Sequence, residues 1–94
     1  MFTFKKNQVE ISGELFDIKE LSAGGFRKFN ACIKEHPEDE MLQMGTLLSV
    51  GVEQFAGQSV DEILDQLPIN VITELVPLII ETSGLNEDED EKKD

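Results

Sequence analysis

Hydrophobic positions along the chain change spacing twice, and the changes mark out its elements. From residue 2 to 20 the pattern has period two. Val9, Ile11, Leu15, Phe16 and Ile18 are interleaved with Glu10, Ser12, Asp17 and Lys19, as in half-buried strands. Ser12-Gly13 separates the two runs, and glycine supplies the positive φ of a tight turn. The pattern predicts a β-hairpin. An earlier turn at Lys6-Asn7 would add Phe2 and Phe4 as a third short strand. A lone ribbon is marginal in water, so it must pack on the rest of the chain or pair with another.

After Leu21 the spacing becomes helical. Ser22 is a suitable N-cap for a first helix over about residues 23–35. Its inward stripe is Phe26, Phe29 and Ile33, with Cys32 at the flank. Gly24-Gly25 weakens its first turn, and His36-Pro37 ends it. Glu38-Asp39-Glu40 opens a second helix, with acids where the helix dipole favours them. Met41, Met44, Leu47, Leu48, Val52 and Phe55 fall on one face of that helix, Gly45 and Gly51 border the face, and Gly57 is its stop. The glycines permit close approach of a neighbour. Ser59-Val60-Asp61-Glu62 fits a capping box, and a short third helix follows through Ile63, Leu64 and Leu67. Pro68 suits the first position of a fourth helix, Pro77 should kink it near Thr73–Glu74, and Gly84 ends it.

The fourth helix is the most apolar part of the chain. On a wheel of about 100° per residue, Ile72, Leu75 and Ile79 form the centre of an apolar arc. Val71 and Leu78 flank one side, and Ile69, Val76 and Ile80 the other. The arc covers roughly 200°, about twice what a helix needs to face one core. Such a helix is buried on two sides or keeps apolar surface for a partner. The candidate partner-binding residues are therefore Val71, Leu75, Leu78, Ile69 and Ile80. The Val71–Leu78 edge is expected to face the partner, with Ile69 and Ile80 covered near Pro68 and Gly84.

These elements define the fold class: mainly α, with a short N-terminal β-hairpin (about residues 2–20) and a small bundle of about four helices. Residues 1–86 make a single domain, and 87–94 an acidic tail expected to be disordered. There are no internal repeats.

Composition narrows the chemistry. The chain has 94 residues, with 20 acids against 8 Lys and Arg, for a net charge of −12. The last eight residues, EDEDEKKD, hold −4 of it. This balance opposes binding to a phosphate backbone, which requires clustered Lys and Arg, and would steer the protein toward a basic partner. Six Phe and no Tyr or Trp leave an aliphatic core. Cys32 is the only cysteine, so no internal disulfide forms. The N-terminus MFTFKKNQVE does not read as a signal peptide, and no apolar run approaches the ~18 residues of a membrane span. A soluble, cytoplasmic protein is expected.

Candidate chemistry is sparse. His36 lies among Glu35, Glu38, Asp39 and Glu40, but zinc sites need several His or Cys at defined spacing. Cys32 has Lys28 and Lys34 nearby and no second histidine to complete a dyad, so a buried structural thiol is expected. The acidic tail lacks the central Gly and following helix of an EF-hand. Met41, Met44, Leu47 and Phe55 would make an adaptable groove, though at this spacing core packing is the simpler reading. Arg27, Lys28 and Lys34 form a small basic patch on the first helix. An acyl carrier protein is excluded by the missing Asp-Ser-Leu triplet. No Ser/His/Asp or Cys/His set suggests an enzyme. No metal, cofactor or nucleic acid is expected.

Two stretches carry a family resemblance. Val9-Glu10-Ile11-Ser12-Gly13-Glu14-Leu15-Phe16-Asp17-Ile18-Lys19-Glu20-Leu21 follows the form V-x-I-x-G-x-x-F-x-I-K-E-L, and Ser59 to Pro68 the form S-x-D-E-I-L-x-x-L-P before a hydrophobic helix. In this layout, over roughly residues 9–85, the chain resembles the small tail assembly chaperones of long-tailed bacteriophages. Gly24-Gly25 departs from the Asp or Glu usual at that helix start. The resemblance implies a non-enzymatic role in the host cell cytoplasm, outside the mature virion. Such a protein coats the tape measure protein until tail tube subunits displace it, so its partners would be the tape measure protein, the tail tube protein and copies of itself. It also implies a longer, frameshifted product, with Lys92-Lys93 at the shift. The alternative is an acidic protein–protein interaction module or an inhibitor of a basic nucleic-acid-binding partner.

Overall fold

The computed structural model describes residues 3–85, so the expected tail at 87–94, the Lys92-Lys93 shift and any strand at Phe2 lie outside the described residues. Two strands, β1 (Lys6–Ile11) and β2 (Glu14–Lys19), precede four α-helices: α1 (Ala23–Glu35), α2 (Glu40–Gly51), α3 (Val60–Gln66) and α4 (Ile69–Thr82). A 3₁₀ turn, Glu53–Phe55, links α2 to α3. The mainly helical class with an N-terminal hairpin is the one the spacing predicts.

The hairpin is antiparallel, with Ile11 opposite Glu14 and Lys6 opposite Lys19. Ser12 (φ 54°) and Gly13 (φ 86°) both take positive φ. That matches the right-handed twist of the strands on either side. No turn forms at Lys6-Asn7, because both residues belong to β1. Phe4 stays 46% exposed rather than joining a third strand. The inner face carries Ile11, Phe16 and Ile18 into the core, where the Phe16 ring lies 6.2 Å from that of Phe55.

The predicted second helix is divided. α2 ends at Gly51, and Val52 turns to extended backbone (φ −123°, ψ 123°). There it forms an antiparallel bridge with Ile18 of β2. Bridging the hairpin outweighs continuing the helix at a β-branched residue that follows a glycine. Phe55 still reaches the core, through the 3₁₀ turn. Gln54 adds a second clasp on β2. Its Oε1 accepts from the Asp17 N–H at 3.0 Å, and its Nε2 donates to Asp17 Oδ2 at 3.1 Å.

The helix ends follow the sequence signals. Ser22 Oγ accepts the Gly25 N–H at 3.0 Å, capping α1. Ser59 and Glu62 complete the capping box of α3, at 3.2 Å and 2.9 Å. Pro68 is the N-cap of α4 rather than its first residue, and α4 continues as one helix through Pro77. At its far end Asn7 Nδ2 donates to Thr82 Oγ1, and the Leu21 N–H to Ser83 Oγ, both at 3.0 Å. These bonds fix the hairpin and its exit against the C-terminus of α4.

Candidate partner-binding groove

The core gathers α2, α4 and the hairpin, with Leu47, Leu48, Ile63, Ile72, Leu75 and Ile79 almost wholly enclosed. Two glycines let α2 lie this close. A Cβ on Gly51 would fall 2.6 Å from Ile79 Cγ2, and one on Gly45 2.6 Å from Val60 Cγ1. α1 is different, since its only buried residue is Gly25, seated against Val50 of α2. The spacing predicts its stripe inside. Instead Phe29 and Ile33 are half-buried, and Phe26 is 38% exposed. The face of α1 that meets α2 runs through Gly25 and Cys32, so Phe26 and Ile33 stand about 80–120° away around the helix. They form a wall beside α2 rather than a lid on it.

That wall bounds an apolar groove. Phe29 of α1, Met44 and Leu47 of α2 and Val76 of α4 line a recess of about 220 Å³, with Glu40 and Gln43 at its polar end. Phe26 and Ile33 extend the α1 side, three residues before and four after Phe29. On α4, Ile80 lies one turn beyond Val76 and is half-buried, while Ile69 at the start of the helix is 65% exposed. Among the described residues the Glu40 carboxylate is the one ionisable group of the lining.

The five sequence candidates divide accordingly. Val71 and Leu75 are 4% and 0% exposed, so neither offers surface to a partner. Leu78 is half-buried and packed on the core. The Val71 edge of α4 is closed by the hairpin: Ile11 and Phe16 share a recess of about 240 Å³ with Val71 and Leu67. The expectation that Val71–Leu78 would face outward while Ile69 and Ile80 were covered fails at Val71, which is buried, and at Ile69, which is exposed, while Leu78 and Ile80 are alike half-buried and packed on the core. The more open edge is Ile69–Val76–Ile80, with Ile69 exposed and Val76 and Ile80 half-buried.

Phe29 and Val76 escape a reading of the sequence because both lie in stripes that look like core. The available signal is the width of the α4 arc. Of the proposed methionine groove, Leu47 and Phe55 are buried, and Met41 and Met44 are half-buried.

A larger, more polar recess of about 470 Å³ lies on the opposite side of α1, among Cys32, His36, Thr46, Ser49 and Ser59. Its hydroxyls are committed to the fold. Thr46 donates to the Leu42 carbonyl at 2.8 Å, Ser49 to the Thr46 carbonyl at 2.6 Å, and Ser59 serves the α3 cap. Cys32 is half-buried rather than enclosed, with Sγ 3.6 Å from Thr46 Oγ1. Among the described residues no group of three or more His, Cys, Asp or Glu side chains is placed to hold a metal, and no helix is long and apolar enough to cross a membrane. Comparison of the chain with models of known protein families, with curated proteins and with solved structures finds no match.

Proposed function

We propose that this chain is a non-enzymatic tail assembly chaperone of a long-tailed bacteriophage, which shields apolar helical segments of the tape measure protein in the host cytoplasm. The carrying observation is the groove: Phe29, Met44 and Val76 are left half-buried beside exposed Phe26 and Ile69 on a chain of net charge −12. A groove walled by two helices accepts a third through side chains at i, i+3, i+4 and i+7. A flexible methionine in its floor tolerates different sequences along a long partner. The acidic surface keeps the loaded complex soluble and opposes clustering of neighbouring copies. The V-x-I-x-G-x-x-F-x-I-K-E-L and S-x-D-E-I-L-x-x-L-P stretches supply the family side of the reading. Alternative occupants, such as a basic nucleic-acid-binding protein, would engage the acids and leave the groove unused.

The test is co-expression with fragments of the tape measure protein of the same phage. Wild type should co-purify with apolar helical fragments and hold them soluble. Val76→Glu and Met44→Glu place a charge in the groove and should abolish co-purification. Ile69→Gln, at the rim, should only weaken it. If both charged variants fold and still bind at wild-type level, the groove is not the site. If wild type binds no fragment, the chaperone reading is wrong.

A further inference from the structure

The hairpin has two edges, and among the described residues only one is closed. On the β2 side, Val52 bridges Ile18 and Gln54 holds Asp17. On the β1 side, register and hydrogen bonding fix which main-chain groups point away. The Glu20 N–H donates to the Lys5 carbonyl at 2.8 Å, and Ile11 pairs with Glu14 across the turn. In an antiparallel ladder alternate residues bond to the same neighbour, so Lys5, Asn7, Val9 and Ile11 are bonded toward β2. The N–H and C=O groups of Lys6, Gln8 and Glu10 are therefore directed outward. All three residues are exposed, and among the described residues none of these main-chain groups has a hydrogen-bond partner. An open strand edge is a template for another strand.

The side chains of the edge favour one occupant. Antiparallel pairing of β1 with β1 of a second copy, about a two-fold axis at Gln8, sets Lys6 opposite Glu10 at both ends and Gln8 opposite itself. Each of the three pairs exchanges both main-chain hydrogen bonds. Slipping the register so that Lys6 faces Lys6 would oppose like charges and lose both ion pairs. The hairpin itself already sets Lys6 opposite Lys19. Among the described residues one acid forms an ion pair with Lys6, Glu53, at 3.0 Å from its Nζ. Glu10 of a second copy would supply another. From the open edge and its self-complementary charges we infer that two copies join β1 to β1, forming a four-stranded sheet with the order β2-β1-β1-β2. The contact is isologous and closes on itself, giving a dimer and not a filament. A single edge buries less than the ~1,200 Å² typical of stable complexes, so the dimer is weak and concentration-dependent. The edge is on a different face from the groove and is independent of what the groove binds.

Charge exchange between copies tests the register directly. Lys6→Glu sets carboxylate against carboxylate at both ends of the pairing, and Glu10→Lys sets ammonium against ammonium. Each variant alone should weaken self-association at least about tenfold at low salt, where such pairs are least screened. Mixing the two variants leaves like charges only within each variant's own dimer and brings opposite charges together between them, so an equimolar mixture should form heterodimers. The double variant Lys6→Glu/Glu10→Lys should recover wild-type association. Sedimentation equilibrium up to about 1 mM reads wild type, both single variants, their mixture and the double variant, a range suited to a weak contact. Circular dichroism checks that each variant folds. The inference is overturned if wild type stays monomeric across that range. It is equally overturned if the single variants associate as wild type does, or if neither the mixture nor the double variant restores what the singles lose.

Discussion

Replacing Gly51 by alanine sets two effects of known sign against each other. Alanine in place of a helical glycine normally stabilises by about 0.5–1 kcal/mol, through the lost freedom of the unfolded chain. Gly51 is the last residue of α2, so the benefit falls at the low end. Against it stands the Ile79 side chain, with Cγ2 at 2.6 Å, Cδ1 at 3.0 Å and Cγ1 at 3.1 Å from the new Cβ. Ile79 is 0% exposed and cannot swing into solvent. Either it leaves its rotamer or α2 and α4 separate, and forcing an extra carbon into such a site costs about 1–3 kcal/mol. The clash prevails, for a net loss of about 1–2 kcal/mol. At about 4–8 °C per kcal/mol for a domain of this size, Tm should fall by roughly 5–15 °C. Gly24→Ala is the control, since its Cβ would meet only Ser22 Oγ at 3.9 Å. That variant should gain stability. Ile79→Ala costs about 2–5 kcal/mol by itself, yet in its background Gly51→Ala should become neutral or stabilising. The assay is thermal and urea unfolding of these single variants and of the Gly51→Ala/Ile79→Ala double variant, with the coupling read from the double-mutant cycle. Equal stabilisation by Gly51→Ala and Gly24→Ala would refute the close approach of α2 to α4.

Two further outcomes follow from the hairpin and from α4. Ser12 holds φ at 54° without being glycine. Ser12→Asn, which accepts that region more readily, should raise Tm by a few degrees, about 0.5–1 kcal/mol; an unchanged or lowered Tm counts against the two-residue turn. On α4, Leu75→Ala should lose about 2–5 kcal/mol while Ile69→Glu stays within about 0.5 kcal/mol of wild type. Urea midpoints decide between them, and a large loss at Ile69 would mean that its edge is covered.

The elements were legible because local chemistry sets them. Ser22 and the Ser59–Glu62 box begin helices through hydrogen bonds that need only neighbouring residues, and Ser12-Gly13 makes its turn the same way. What was not legible depends on distant residues. Val52 has the right spacing to continue α2, and the glycine before it weakens the helix without fixing where it ends. It leaves the helix because Ile18, 34 positions earlier, is folded against it. The stripe of Phe26, Phe29 and Ile33 likewise predicts a buried helical face. How much of it is buried depends on what crosses α1, and the contact of α1 with α2 is centred on Gly25 and Cys32, which leaves Phe29 and Ile33 half-buried and Phe26 exposed.

The open face has the same origin. A helical period gives the width of an apolar arc but not the order in which neighbours cover it. α4 carries an arc with room for two neighbours, and the hairpin and α2 supply them. The hairpin takes the Val71 side because Ile11 and Phe16 point inward there and because Asn7 and Leu21 are bonded to Thr82 and Ser83. Once that side is closed, the described elements cover Val76 and Ile80 only in part and leave Ile69 exposed, with a recess between α1 and α4. The groove is thus a remainder of the packing: its position follows from where the hairpin docks, and its apolar lining from an arc wider than the two contacts it makes. A substitution that loosens the hairpin, such as at Ile18 or Val52, should therefore expose the Val71 edge and give α4 a second adhesive face. The signature would be apolar-dye binding that rises before the helical signal is lost on heating. If dye binding and helix loss coincide in Ile18→Ala, hairpin and helices unfold as one unit, and the Val71 edge is never exposed on a folded helix.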